Sequence, residues 1–341
     1  VKGMFFRPST DAARIVGRAK RLRSEIGAAL FPRMARWDAA RMEAALDAIR
    51  VPLMVIQSTT MNADRKRVPM KEGETTPWLD LVRKREDMVF HTFGELGETP
   101  AVPRTRAVVG ISGSLMTNTY FPLYSAFFRS LGYPVTCSRV ADPEGIARTG
   151  SAFCYPVETA HGTFVDLLKQ DPDILFLPKV RSLDVARSTN TKTTCPFIHA
   201  EPGYLLGTFK GAHDKRILSP LLDFAKGLEA QEGTFVDLAR ELGHSTIEGR
   251  RAFLKGLEAQ NALTRSFKEE GRKALKSLDD NPGEVGIVLF GRAYNAFSSL
   301  GNKGIPRKFA TRGYRVIPCD FLDFELEEDP EHIYWASGEI N

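Results

Sequence analysis

Residues 107–115 read AVVGISGSL, followed by YFPLYSAFFRSLG (120–132) and PVTCSRV (134–140). A short apolar run ends in small residues, about a dozen residues at helical spacing follow, and a second apolar run begins after a glycine and a proline. Gly132 stops the helix and Pro134 turns the chain into the next strand. The rhythm continues through ETAHGTFVDLLKQ (158–170), DILFLPKV (173–180) and CPFIHAEP (195–202). Short, continuously apolar strands alternating with helices predict βαβ units, a parallel sheet and an open α/β domain.

On either side of this lobe the pattern changes. Residues 11–50 have helical spacing, as in RMEAALDAI, and VPLMVIQST (51–59) reads as a short buried strand. A polar loop and a helix in PWLDLVRKREDMVF (77–90) lead to GELGETPAVPRTR (94–106), a linker. The reading is therefore an N-terminal segment over 1–93, a linker over 94–106 and a first α/β lobe over 107–232. A helical connection follows over 233–282, a surface or bridging helix by its charge pattern. EVGIVLFGRAYN, GIPRKFATRG and YRVIPCDFL then open a second α/β lobe over 283–341, expected to be incomplete at GEIN. GTFVDL and KGLEAQ each occur twice, at unequal offsets, so no repeat architecture follows.

At 341 residues, with 43% hydrophobic and 26% charged residues, the chain has room for roughly two domains of ordinary globular composition. No run approaches the ~18 apolar residues of a membrane span, and the N-terminus lacks a secretory apolar region, so a cytoplasmic protein without membrane contact is expected. The net charge of +5 comes largely from RIVGRAKRLR and DRKRVPMK. These runs are not interleaved with aromatics and read as solvated faces, with no nucleic-acid partner. Four scattered cysteines, none in a C-x-x-C pair, argue against a disulfide framework and a zinc ribbon.

Cys154 lies in FCYPVE, in a loop before a helix expected to begin near Glu158, and Cys195 lies in TTCPF at the start of an apolar segment. Ligands of open α/β sheets gather at the carboxyl ends of strands, where both loops are expected. Each cysteine is either a small buried hydrophobe or a ligand. The adjacent prolines stiffen the backbone, and a helix N-terminus favours the thiolate that binds iron. An iron–sulfur cluster needs about four ligands, and two cysteines fall short. Glu158, His161, His199 and Glu201 are the candidates to surround the sulfurs. For His161 a hydrogen-bonded packing role competes, and for the acids a helix-dipole or surface role. GISGS invites a phosphate-loop reading but matches neither nucleotide fingerprint, which leaves a tight strand-to-helix turn. Arg292, Tyr294, Asn295, Lys303 and Gly304 form a basic, glycine-containing loop suited to a phosphate or acyl-CoA, or simply a solvated loop.

Several phrases, in order, carry a resemblance: FCYPVETAHGTFVDLL, DILFLPKVRSL, TTCPFIHAEPGYLLGTF, GIVLFGRAYNAF, NKGIPRKFATRGYRVIPCDFL and YWASGE. From about residue 84 onward the chain resembles the dehydratase-subunit-like region of CoA-substrate-specific enzyme activases, itself similar to the iron–sulfur subunits of 2-hydroxyacyl-CoA dehydratases. The resemblance implies two Rossmann-like lobes, an iron–sulfur cluster of the 4Fe–4S type, and an ATP-hydrolysing activase partner that injects electrons. It implies acyl-CoA as the substrate class. By motif position Cys154 and Cys195 are the implied cluster ligands, with a further ligand expected beyond Asn341 in a motif like N-F-x-C-G-P-D-S-F. GISGSL departs from the family's G-I-P-R-A-L turn. Cys319 stands where the family more often has an apolar residue, so Cys319 and Cys137 read as packing.

ALFPRMARWDAARMEAALDAIRVPLMVIQSTTMNADRKRVPMKEGETTPWLDLV (29–82), within residues 1–83, resembles a late portion of an α/β-hydrolase, with VPLMVIQST as the strand that leads to its acid loop. The chain has no G-x-S-x-G elbow, so no serine triad can be assembled. The expectation is a component of an ATP-dependent iron–sulfur dehydratase system that accepts electrons from an activase. The alternatives are a non-catalytic scaffold that docks an activase, and a hydrolase remnant fused to it.

Overall fold

The computed structural model describes residues 79–95, 107–150, 154–183 and 193–323. The readings for 1–78, most of the linker and the last eighteen residues lie outside them. The described residues divide by contact into one large unit and the four residues Val285–Val288, which group separately. The last three of these begin a short strand, β7 (Gly286–Leu289). Everything below concerns the large unit.

Its centre is a four-stranded parallel sheet: β1 (Val109–Ser112), β2 (Val135–Ser138), β3 (Ile174–Phe176) and β5 (Arg216–Leu218), in the order β2-β1-β3-β5. Val109 is in register with Val135 on one side and Ile174 on the other, and Ile174 with Arg216. The α/β class with parallel strands expected from the alternating rhythm is thus present. Because β1 is flanked by β2 and β3, successive connections leave it in opposite directions, which makes its carboxyl end a topological switch point.

Gly113 explains the GISGS turn. Its N–H donates to Ser138 O at 2.8 Å, and a Cβ at this position would collide with that same oxygen. The glycine serves the close approach of two strand ends, the tight-turn alternative to a phosphate loop. Helix α2 (Thr117–Ser130) follows and stops at Leu131 and Gly132, the latter at φ 85°.

DILFLPKV, expected as one strand, is two. Pro178 has no N–H to give a ladder, so β3 ends before it and β4 (Lys179–Ser182) continues in a separate two-stranded parallel sheet with β6 (Leu221–Asp223). The partner chain segment breaks the same way at Pro220 between β5 and β6, and Lys179 N donates to Pro220 O across the gap at 2.8 Å. CPFIHAEP, which stands at a strand's place in the alternating rhythm, is helical: α5 (Pro196–His199) and α6 (Glu201–Thr208). Proline at a first-turn position begins a helix with no lost hydrogen bond. Short helix α3 (Pro143–Ala147) precedes α4 (Tyr155–Lys169).

The expected helical region over 233–282 contains α7 (Glu232–Glu241) and α8 (Thr246–Asp279), separated by Gly243 at φ 88°. Ser245 and Glu248 form a reciprocal capping box that starts the 34-residue α8. This helix is not a free bridge. Gly256 lets it approach α2 until a Cβ there would lie 2.6 Å from Leu123 O. Aromatic contacts fill the seam and the sheet beneath it: Phe127 with Phe235 at 4.9 Å, Phe235 with Phe253 at 5.1 Å, and Phe128 with Phe176 at 5.0 Å. Helix α1 (Leu79–Asp87) adds Arg85, 3% exposed, which pairs with Asp320 at 2.6 Å and lies over the rings of Phe267 and Phe297. Near the end of the described chain, α9 (Ile305–Ala310) leads into β8 (Arg315–Pro318).

Candidate functional site

Cys154 is the N-cap of α4, which begins at Tyr155, three residues earlier than the sequence suggested. Its extended backbone (φ −140°, ψ 103°) lets its carbonyl accept from Val157 and Glu158 N–H at 2.9 and 3.2 Å, and Pro156 lies in the first turn. Cys195 has the same relation to α5: its carbonyl accepts from Ile198 and His199, with Pro196 as the first helical residue. Both cysteines are free and partly exposed. In each case the Cys–Pro phrase sets the chain entry into a helix and leaves the thiol outside it.

The two thiols act electrostatically on the same pair of phenols. Burial raises the pKa of Tyr204, and the charges of Glu201, Cys154, Cys195 and Tyr294 raise it further. For Tyr294, burial raises the pKa, Arg292 offsets part of the rise by a 3.0 Å hydrogen bond and its charge, and Cys195 and Cys154 add to it. Cys154, Cys195, Tyr204 and Tyr294 are therefore electrostatic neighbours. Lys303, exposed, extends its Nζ to 3.0 Å from the ring centroid of Tyr155, the residue after Cys154. The basic loop and the first cysteine loop thus lie side by side.

His161 is buried in α4. Its Nδ1 donates to Val157 O at 2.8 Å, and its ring stacks on Tyr204 at 5.2 Å with 10° between planes. Its Nδ1 is thus taken by the backbone, and its ring packs flat against Tyr204. Glu158 is half-buried in the first turn of α4, whereas His199 and Asn295 are exposed. Among the described residues, no side-chain hydrogen bond joins these three to the cysteines.

Glu201 is the most perturbed acid of the region. It keeps part of its surface outside while the carboxyl faces inward, where Ser114 Oγ donates to Oε1 at 2.6 Å. Burial pushes this carboxyl up to about 7, and the Ser114 hydrogen bond opposes the rise. Ser114 belongs to a hydroxyl chain at the end of β1: Ser112 Oγ is 3.0 Å from Ser114 Oγ and 2.9 Å from Thr163 Oγ1. Ser112, Ser114, Thr163 and Tyr204 were not among the sequence candidates. The serines stood in plain view in GISGS, where their spacing two apart places both at a strand end.

Cys137 and Cys319 differ from the first pair. Cys137 is on β2, and burial pushes its thiol up to about 12. Cys319 follows β8, is 0% exposed, and is also pushed up to about 12 by burial. Neither offers a thiolate near neutral pH. Among the described residues no group of three or more His, Cys, Asp or Glu side chains has the geometry to hold a metal ion.

Residues 108–322 match the family model described as CoA enzyme activase uncharacterised domain (DUF2229). The chain belongs to this family. The match covers β1 through the segment after β8, and so includes both cysteine loops and the Tyr294 loop. No curated protein and no solved structure gave a match. No helix among the described residues is long and apolar enough to cross a membrane.

Proposed function

We propose that this activase-family domain is an iron–sulfur-binding module, related to the dehydratase-subunit-like region, that accepts electrons from an ATP-hydrolysing partner and acts on acyl-CoA. The observation that carries the proposal is a pair of partly exposed thiols, each at a helix start, that share Tyr204 and Tyr294 as electrostatic neighbours. The donor set fits two thiolate ligands of a cluster, and its softness suits iron–sulfur chemistry rather than magnesium or calcium. A bound cluster supplies one-electron chemistry. Cys154 and Cys195 would hold it, Tyr204 and Tyr294 would form an apolar wall with their ring faces, and His161 would keep Tyr204 in place. Arg292 and Lys303 supply positive charge beside the same face, suited to the phosphates of a CoA ester.

Anaerobic incubation of the full chain with iron and sulfide is expected to give a broad visible absorption and, after reduction, a paramagnetic signal. Both are lost in Cys154→Ser and in Cys195→Ser, and a wild-type chain that acquires neither contradicts the proposal. A scaffold that docks an activase without metal is the second reading, favoured by the lack of a third ligand among the described residues. It is supported if Cys154→Ala/Cys195→Ala binds the ATP-hydrolysing partner as tightly as wild type and neither form takes up iron.

A further inference from the structure

Four contacts run in line from the carboxyl end of β1 into α4. Glu201 Oε1 lies 2.6 Å from Ser114 Oγ, Ser114 Oγ 3.0 Å from Ser112 Oγ, Ser112 Oγ 2.9 Å from Thr163 Oγ1, and Thr163 Oγ1 3.1 Å from the carbonyl oxygen of Ala160. Ser112, Ser114 and Thr163 are all buried, so their hydroxyls must find partners within the protein. Each hydroxyl carries one proton and donates once, whereas a carbonyl only accepts. Three hydroxyls therefore cannot fill four contacts: with Ser114 donating to a carboxylate, one contact is left without a proton. A neutral carboxyl supplies the missing one. Glu201 then donates to Ser114, Ser114 to Ser112, Ser112 to Thr163, and Thr163 to Ala160 O.

We propose that Glu201 is a one-proton acid–base site at the carboxyl end of β1, held neutral in the folded protein by a chain of hydroxyls whose direction reverses when the proton leaves. It goes beyond the iron–sulfur reading and rests on no part of it. On ionisation the O–H bond of the Glu201 carboxyl breaks, its proton passes to solvent, and no electron moves. Thr163 turns its hydroxyl from Ala160 O to Ser112, Ser112 donates to Ser114, and Ser114 donates to the carboxylate. Three contacts then carry protons in place of four, and Ala160 O keeps its place in the ladder of α4. Burial adds to the preference for the neutral form. The groups that face the carboxyl are Ser114 from the turn after β1, the Tyr204 phenol one turn along α6, and the Tyr124 phenol of α2 with Tyr120 behind it. Among the described residues no cation pairs with Glu201. The fold thus holds a group able to give or take a proton at the switch point, where open α/β sheets bind their ligands.

The test is a pH titration of the infrared carboxylic-acid band of the full chain without added metal, with the spectrum of Glu201→Gln subtracted to isolate the Glu201 signal. In wild type the band is expected to vanish with a midpoint at about 7. Thr163→Val is the deciding variant. It leaves the neutral chain with a buried Ser112 proton that has no acceptor, whereas the ionised chain, pointing the other way, keeps every remaining proton paired. The midpoint is therefore expected to fall by about one pH unit. Were burial alone responsible, a methyl in place of this hydroxyl would leave the midpoint unchanged or raise it. Ser112→Ala cuts the chain one link nearer the carboxyl, strands the Ser114 proton of the neutral form, and should lower the midpoint in the same way, which keeps the test decisive should Thr163→Val not fold. Thr163→Ser restores the hydroxyl and should restore the wild-type midpoint. An unchanged or raised midpoint in either shortened chain, or a wild-type band that titrates in the ordinary carboxyl range, overturns the inference. Both results leave the iron–sulfur reading standing, because that reading fails only on iron uptake.

Discussion

Two regions of this domain are built on opposite principles. Along the seam between α2 and α8 the contacts are mostly apolar: Gly256 admits backbone contact, phenyl rings interlock, and Arg85 is locked between Asp320 and two aromatic faces. At the rim where α4 and α5 begin, thiols are partly exposed, the Tyr204 hydroxyl is buried without a partner among the described residues, and burial pushes a carboxyl up to about 7. The seam carries the folding free energy, and the rim keeps groups whose chemistry is unspent. Substitutions should therefore separate the two, with stability responding at one region and chemistry at the other.

The largest effect on stability is expected from Arg85→Ala, which strands Asp320 beside an apolar seam and should cost about 3 kcal/mol, read by denaturant unfolding. Gly256→Ala forces a methyl against Leu123 O and should cost about 1–3 kcal/mol with the thiols of the rim still reactive. If either change left stability intact, the seam would not be the support described here.

Glu201→Gln tests the rim from the stability side. The folded-state carboxyl is raised to about 7 from 4.5, so between these values the native state holds a proton that the unfolded chain has released. Wild-type stability should then fall as pH rises from about 4.5 to 7. The variant should lack that fall, a difference of about 1–2 kcal/mol once partial solvent access is allowed for. Denaturation midpoints of the two proteins at pH 5 and pH 8 measure it. The smallest effect on stability and the sharpest on chemistry is thiol labelling. In the native protein Cys154 and Cys195 should react with a maleimide at pH 7.5 faster than Cys137, whose thiol is partly exposed but pushed up by burial, while the buried Cys319 waits for unfolding, as peptide mapping would show.

The comparison also marks what the sequence makes legible. AVVGISGSL and its neighbours disclose a parallel sheet because strands buried on both faces are uniformly apolar, and the stop at Gly132 is chemically unambiguous. The strands around Pro178 and Pro220 are harder to read, because a proline ends one ladder while the neighbouring segment, broken in the same place, carries the pairing into a second sheet. Cys154 and Cys195 are visible as candidates through their prolines, and the helix starts are where that chemistry points. Glu201 reads as an ordinary loop acid, since its perturbation depends on Ser114, 87 residues away, and on burial that no local pattern encodes. Tyr204 is similarly hidden: its role comes from His161 stacking on it across two helices.

On the proposed function Cys154 and Cys195 form one metal-binding face, whereas Cys137 and Cys319 belong to the packing. That division is tested most directly by counting iron and acid-labile sulfide in the anaerobically reconstituted full chain and in its four single Cys→Ser variants. Iron and sulfide are expected in wild type, Cys137→Ser and Cys319→Ser, and their loss in Cys154→Ser and Cys195→Ser. Equal metal content in all five proteins, or none in wild type, would contradict it.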